Sequence, residues 1–349
     1  MCKTLTKSEF ITLCFEFLSL WGAYGTAWGQ PNESIRIVSY NIENLFDCEN
    51  DPNTDDDSFT PDGDHNWTEG KYKNKINNLS RAITAAGGWE IPAIIGLCEV
   101  ENDKVLVDLF QHTQLKAHGY KFVHKDSPDK RGVDVALAYL PDQFKLINEE
   151  FHPVKIIEGR PTRDILHATG ILKNGDTLHV FVNHWPSRYG GELESESKRF
   201  SAADILRDVT DSLLNINETN IIIMGDFNDY PYNASIKQHL CVEKPSRKPL
   251  HDVLYNLCEQ FSERGDIGSH KFDGQWGMLD QFIVSGAMLD KLSSTYTSES
   301  DVRICQEKFL LKEDKTGEAP KRSFMGTFYA YGYSDHLPIY IDIKLRKNE

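Results

Sequence analysis

Basic residues are scarce for a chain of this size. The 349 residues carry 38 Lys and Arg against 53 Asp and Glu, a formal charge of −15. That shortage excludes a broad cationic face, and with it tight nonspecific nucleic-acid binding driven by phosphate contacts alone. It leaves phosphate chemistry open, because a bound divalent cation supplies positive charge where it is needed. Long hydrophobic runs are also missing. The apolar stretch Phe10–Trp21 is short and interrupted by Glu16, so no stable membrane insertion is expected. The seven cysteines have no close metal-type spacing. No repeat, heptad or long low-complexity tract divides the chain.

What is present describes a globular protein. Hydrophobic residues make up 40% and charged residues 26%, enough apolar material for a large core. Lys3 and Lys7 precede the apolar stretch, and small residues follow it up to Ala27. This is the pattern of an export signal over residues 1–27, implying a secreted or periplasmic protein. Its removal takes away Lys3, Lys7, Glu9 and Glu16, so the charge stays at −15. Cys48, Cys98, Cys241, Cys258 and Cys305 then remain, an odd number that reads as free thiols, with Cys48 open to pairing in an oxidising compartment. Residues 31–349 are expected to form one domain.

Alternating or continuous apolar runs predict strands over Ile35–Asn41, Ala93–Glu99, Tyr120–His124, Val133–Leu140, Arg163–Leu172, Thr177–His184, Asn220–Asp226, Met278–Ser285 and Leu337–Ile343. Helical stripes run through Lys71–Ala86, Asp103–Gln114 and Glu194–Leu214, the last with Ala202, Leu206, Val209 and Leu213 on one face. Residues 49–66 read as a solvated, acidic loop rather than a calcium loop, since the ordered ligand alternation is missing. Residues 300–325 carry no clear pattern. The lack of strict strand–helix alternation favours mixed sheets packed on each other with helices outside.

Polar residues gather at the strand ends. Ile221-Ile222-Ile223-Met224 runs into Gly225-Asp226-Phe227-Asn228, where glycine permits a sharp turn or a close approach. Asp226 and Asn228, two apart, point the same way in extended geometry. Asn41 and Glu99 each close a strand, Asn183 and His184 close another, Asp280 sits in the late strand, and Asp335-His336 precede the last one. Each taken alone is an ordinary turn former, capping carboxylate or core histidine. Their recurrence at strand ends points instead to a site with carboxylates, amides and histidines in one place. Arg131, Arg163 and Arg188 lie near these motifs and suit bidentate phosphate contact, against a structural or solvated role. Trp185 reads as a packed aromatic rather than a stacking platform.

In this order, the motifs Asn41, Glu99, Asn183-His184, Gly225-Asp226-Phe227-Asn228, Asp280 and Ser334-Asp335-His336 resemble the endonuclease/exonuclease/phosphatase superfamily, the deoxyribonuclease I-like group. The resemblance spans nearly the whole chain after the leader. It implies an α/β four-layer sandwich, two packed mixed β-sheets flanked by helices, with the active site at one end. It also implies a metal-dependent phosphoric ester hydrolase using Mg2+, with Mn2+ or Ca2+ fitting the same oxygen donors. Residue by residue, Glu99 resembles the principal metal carboxylate, with Asn41 beside it and Asp335 as a further metal or water ligand. Asp226 resembles the residue that positions or deprotonates the attacking water, and Asn228 the one that orients it or a phosphate oxygen. His336 resembles the histidine that contacts the phosphate or acts as base, with Asp280 as its orienting carboxylate. His184 resembles the second histidine, an acid for the leaving oxygen or a phosphate donor. Gln281 stands where the family often has arginine. The expected substrate is a phosphate ester, nucleic acid first; a monoester or a lipid or inositol phosphate is the alternative, and a non-catalytic binding module the alternative of another class.

Overall fold

Strands that are apolar on both faces must be covered on both faces, and the middle strands of this chain are. In the computed structural model, which describes residues 33–156, 160–216 and 219–346, they build two mixed sheets. The expected leader lies outside the described residues; from Ser34 onward the described chain is one compact unit. The first sheet contains β1 (Glu33–Leu45), β2 (Ile94–Val100), β3 (Lys121–His124) and β4 (Asp134–Tyr139). The second contains β5 (Phe144–His152), β6 (Ile165–Leu172), β7 (Thr177–His184), β8 (Asn220–Asp226) and the short β9 (Leu254–Asn256). Later come β10 (His270–Phe272), β11 (Gln275–Gly277), β12 (Asp280–Ser285), β13 (Thr295–Tyr296), β14 (Val302–Ile304), β15 (Leu311–Asp314), β16 (Gly317–Pro320), β17 (Phe324–Met325), β18 (Phe328–Tyr329) and β19 (Ile339–Leu345). The first sheet runs β13-β19-β1-β2-β4-β3 with β14 also on β19, and the second runs β5-β6-β7-β8-β12-β9. β1–β2 and β7–β8 are parallel pairs. The remaining strands form three small hairpins, β10–β11, β15–β16 and β17–β18.

The layering follows from side-chain alternation. Ile222 and Met224 of β8 enter the core between the sheets with Val180 and Val182 of β7, facing Gly96 and Cys98 of β2. Ile221 and Ile223, on the opposite face, join a second cluster with Ala202, Ala203 and Leu206. Those three belong to the helix α3 (Glu192–Leu214), which covers the outer face of the second sheet. The buried face of α3 is Ala202, Ala203, Leu206, Thr210 and Leu214, rotated from the expected stripe, so that Val209 and Leu213 are only partly covered. Helices α1 (Glu69–Gly87) and α2 (Asp103–Gln111) put Tyr72, Ile76, Leu79, Ile83, Val105 and Leu109 into the main core. This is the four-layer sandwich the motifs implied. No helix among the described residues is long and apolar enough to cross a membrane.

Gly225 shows why the opening motif needs glycine. Its φ is +132°, and an added Cβ would lie 1.9 Å from the carbonyl oxygen of Asn183 on β7. The residue therefore serves close approach between neighbouring parallel strands as well as the turn. The five cysteines from Cys48 on are free, with Cys98, Cys258 and Cys305 buried. Residues 49–66 are mostly exposed, as expected of a solvated loop, and are anchored at Phe59, which sits in a short 3-10 turn, stacks on Phe46 at 4.3 Å and meets Phe324 edge-on. We expect Gly225→Ala to destabilise the fold by at least about 3 kcal/mol, since a disfavoured φ and a backbone overlap add. Urea denaturation measures this, and a loss within about 0.5 kcal/mol, the usual range for a harmless substitution, would contradict it.

Candidate active site

Strand register assembles the site. His184 at the end of β7 pairs with Asp226 at the end of β8, and Asp226 pairs with Asp280 at the start of β12. Three polar residues thus share one row across adjacent strands. Asn41 on β1 faces the row from the other sheet and donates from Nδ2 to Asp226 Oδ2 at 3.0 Å. Asn228 completes the cradle: its backbone N–H donates to Asp226 Oδ1 at 2.9 Å and its Nδ2 to Oδ2 at 3.3 Å. His184 Nε2 and His336 Nε2 stand 3.7 and 3.8 Å from the same Oδ2. Asp280 Oδ2 is 2.6 Å from His336 Nδ1. The last loop is tied down by Ser334, whose hydroxyl donates to the Asn41 carbonyl at 2.7 Å and accepts from the His336 N–H at 3.1 Å.

Glu99 reaches the site through backbone strain. It sits at φ +69°, where β2 bulges against β4, and Glu43 and Asn44 at +52° and +53° form the matching bulge in β1. Such values cost of order 1–3 kcal/mol each for side-chain-bearing residues and persist only where surrounding structure enforces them. The Asn44 N–H donates to Glu99 Oε2 at 2.7 Å, and Glu99 Oε1 is 3.8 Å from His184 Nε2. Glu99 therefore offers one carboxylate oxygen beside the Asp226 cradle, an oxygen-rich setting that fits a hard divalent cation. Asp335 lies further round: its Oδ2 accepts from Arg322 at 3.0 Å, and it clusters with His270 and His336.

The two site histidines have opposite protonation. Burial alone would push His336 down, but the carboxylates of Asp280, Asp226 and Asp335 overcome it and hold the imidazole well above its usual range. Burial drives His184 well below its usual value, and the cations Arg163, Arg131 and His336 push the same way. Burial raises Asp226 to about 6 against the pull of His336, with Asp280 adding to the rise. The site thus pairs a cationic donor with a neutral imidazole around a carboxylate poised near neutrality.

The three arginines divide differently from the phosphate-gripping role. Arg163 is buried, and its guanidinium donates to Asp129 at 2.8 Å, to the Trp185 carbonyl at 2.8 Å and to the His184 carbonyl at 3.2 Å. It positions the His184 segment and has few donors left for a ligand. Arg188 donates to the Asn228 carbonyl at 2.9 Å and to Asp229 and Asn233 at 3.0 Å, bracing the Asn228 turn. Arg131 remains half-exposed and lines a cavity of about 600 Å3 with Arg160, Lys198 and Tyr189. Trp185 is buried and packs edge-on against Phe227. Gln281 fills the arginine position without a charge: its Nε2 donates to the Asp229 carbonyl at 2.7 Å and its Oε1 accepts from Asn256 at 2.6 Å.

A second polar group, marked by none of the sequence motifs, lies beside the site. Buried Glu43 accepts from the Ser323 and Phe324 N–H groups and from Arg322. Buried Lys75 donates to the Ile42 carbonyl at 2.8 Å and the Ser323 hydroxyl at 2.7 Å. Burial and Asp335 raise Glu43 to about 7, and burial lowers Lys75 to about 8. The available signal was a lysine four residues before Leu79 on the apolar stripe of α1, a position that faces the core. His270, whose ring lies tilted 4.7 Å from that of His336, also goes unmarked by the motifs; burial and the His336 charge lower it to about 4.

A family model described as the Endonuclease/Exonuclease/phosphatase family matches residues 36–345. Comparison with curated proteins finds no match. Among solved structures, an endonuclease/exonuclease/phosphatase family protein from Bacteroides thetaiotaomicron aligns with a TM-score of 0.55 at 16% identity, covering 91% of this chain and 100% of that one. TDP2 from D. rerio, complexed with a single strand DNA product, aligns at 0.53 with 13% identity over 89% and 99%. The mannosyl-6-phosphatase Bt3783 of Bacteroides thetaiotaomicron VPI-5482 aligns at 0.52 with 16% identity over 88% and 99%. At these identities the likeness concerns the fold.

The geometry predicts that Asp280→Asn lowers the His336 ionisation midpoint, because the nearest carboxylate is lost while burial stays. Histidine proton NMR titration reads this directly, and an unchanged midpoint would contradict it.

Proposed function

The chain belongs to the endonuclease/exonuclease/phosphatase family, and from that premise we propose that it is an exported, divalent-metal-dependent phosphoesterase that hydrolyses phosphodiester bonds in DNA or RNA. As a family member it is a phosphoric ester hydrolase. The observation that carries the reading is the convergence of Asn41, Asn228, His184 and His336 on the single carboxylate of Asp226. A binding module would have no need for a carboxylate raised to about 6 between two histidines of opposite charge state.

Each residue's role follows from its protonation and partners. Asp226 holds the attacking water and accepts its proton; a base with a pKa near the working pH is the efficient kind. Asn41 and Asn228 fix that carboxylate's orientation. His336, already charged and fixed by Asp280, donates from Nε2 to a phosphate oxygen rather than acting as base. His184, neutral, offers an Nε2–H to the phosphate or the leaving oxygen. Glu99, Asn41 and Asp335 are the residues that would hold the cation, magnesium first, with manganese or calcium suiting the same donors. A cation held by these residues would neutralise charge on the phosphate oxygens.

Nucleic acid is placed first because an export-type leader suits the use of extracellular polymer. A second reading rests on the cavity lined by Arg131, Arg160 and Lys198 beside the Pro186-Ser187 segment. Its cationic rim favours a compact substrate with additional anionic groups, such as an inositol phosphate. Purified protein lacking residues 1–27, offered plasmid DNA, RNA, bis-p-nitrophenyl phosphate and p-nitrophenyl phosphate, is expected to cleave the diesters with magnesium and none of them with chelator. Cleavage of the monoester alone would overturn the nuclease reading, and no metal-dependent turnover on any of the four would count against hydrolysis of these ester classes. Asp226→Asn and His336→Ala are each expected to cut turnover by about 10²–10⁴-fold while circular dichroism stays native. Wild-type rates in either would remove that residue from the mechanism.

A further inference from the structure

A second cluster of metal-type donors lies away from the phosphoesterase site. In the register of the second sheet, Glu150 of β5 pairs with His167 of β6, and His167 pairs with Phe181 of β7. His152 is two residues beyond Glu150 and His179 two before Phe181, so all share one face. Phe181 lies three residues before His184, which places this face opposite the one that carries the active-site row.

His167 is buried, and the Phe181 ring stacks flat on it at 4.1 Å. Its Nε2 is 3.0 Å from His179 Nδ1, with the Thr169 hydroxyl alongside at 3.4 Å. Its Nδ1 has no hydrogen-bond partner among the described residues, and neither has the buried Nε2 of His152. An unsatisfied buried ring nitrogen is costly and calls for a missing partner such as an ion. One donor atom each from Glu150, His152 and His167 lie within 4.8 Å of one another. His167 Nδ1 and Glu150 Oε2 are 3.4 Å apart, matching the roughly 3.4 Å edge of a tetrahedron with zinc–ligand bonds of about 2.0–2.1 Å.

We propose that Glu150, His152 and His167 form a zinc-class metal site on the outer face of the second sheet, separate from the phosphoesterase centre. Two imidazoles and a carboxylate select zinc, cobalt or nickel over magnesium and calcium, which prefer oxygen. His179 is the positioning residue. An Nε2–H donated by His167 to His179 Nδ1 leaves the His167 Nδ1 lone pair aimed at the cluster, the usual support for a ligating histidine. The Glu150 side chain is half-exposed, which gives the ion a path in and leaves the fourth position to water. The site ties the edge strand β5 to β6.

The test uses the protein stripped with chelator, loaded with zinc chloride in excess magnesium, desalted and analysed for bound metal. Wild type and Glu99→Gln are expected to retain one zinc per chain that His152→Ala and Glu150→Gln both lose, with diesterase turnover unchanged in those two. Cobalt loading should give the strong visible absorption of a tetrahedral site in wild type and Glu99→Gln, absent in Glu150→Gln. His179→Phe should weaken zinc binding by about 10–100-fold. Glu150 is exposed enough for its variant to fold, so a folding failure in His152→Ala leaves the comparison intact. No retained zinc in wild type, or equal retention in Glu150→Gln, would overturn the proposal.

Discussion

The hydrogen bond from Asn41 to Asp226 joins the two sheets where their polar ends meet. Everything else at the site is arranged around it. Asn41 holds position because its carbonyl accepts from Ser334, whose hydroxyl also receives the His336 N–H. Asp226 holds position because β8 pairs with β7 on one side and β12 on the other, a register that also fixes His184 and Asp280. Gly225 is the constraint beneath that register, since no side chain fits against the Asn183 carbonyl. A slip of one residue in β8 would send Asp226 to the helix side of the sheet.

The same architecture gives two histidines opposite roles. His184 and His336 are both buried and both within 4 Å of Asp226 Oδ2. His336 has Asp280 on its other nitrogen and Asp335 next in the chain, and stays charged. His184 lies among Arg163, Arg131 and the His336 charge itself, and stays neutral. The work of Arg163 is therefore indirect. It fixes the His184 carbonyl and adds the charge that keeps the ring neutral.

Much of this was legible in the sequence, for a physical reason. Strands buried on both faces leave unbroken apolar runs, and a polar residue ending such a run stands out, as Asn41, Glu99, His184 and Asp226 do. The illegible parts were those where burial and polarity part company. β5 was not foreseen because it is a largely exposed edge strand, Phe-Lys-Leu-Ile-Asn-Glu-Glu-Phe-His, with little apolar alternation. Glu43 is a charged residue buried by a bulge and by a loop distant in sequence, which no local pattern reports, and Lys75 is marked only by its place on the apolar stripe of α1. The small hairpins between residues 300 and 330 have strands of two to four residues, too short for periodicity. Arg163 and Arg188 had the right chemistry for phosphate, and only the folded chain shows their donors engaged elsewhere.

The central claim is that Asn41 acts through the carboxylate of Asp226. A double-mutant cycle of Asn41→Ala and Asp226→Asn on magnesium-dependent diester cleavage tests it most directly, because residues acting through one contact are non-additive. Asn41→Ala is expected to slow the Asp226→Asn enzyme by a far smaller factor than it slows the wild type. Turnover losses that simply multiply would contradict it.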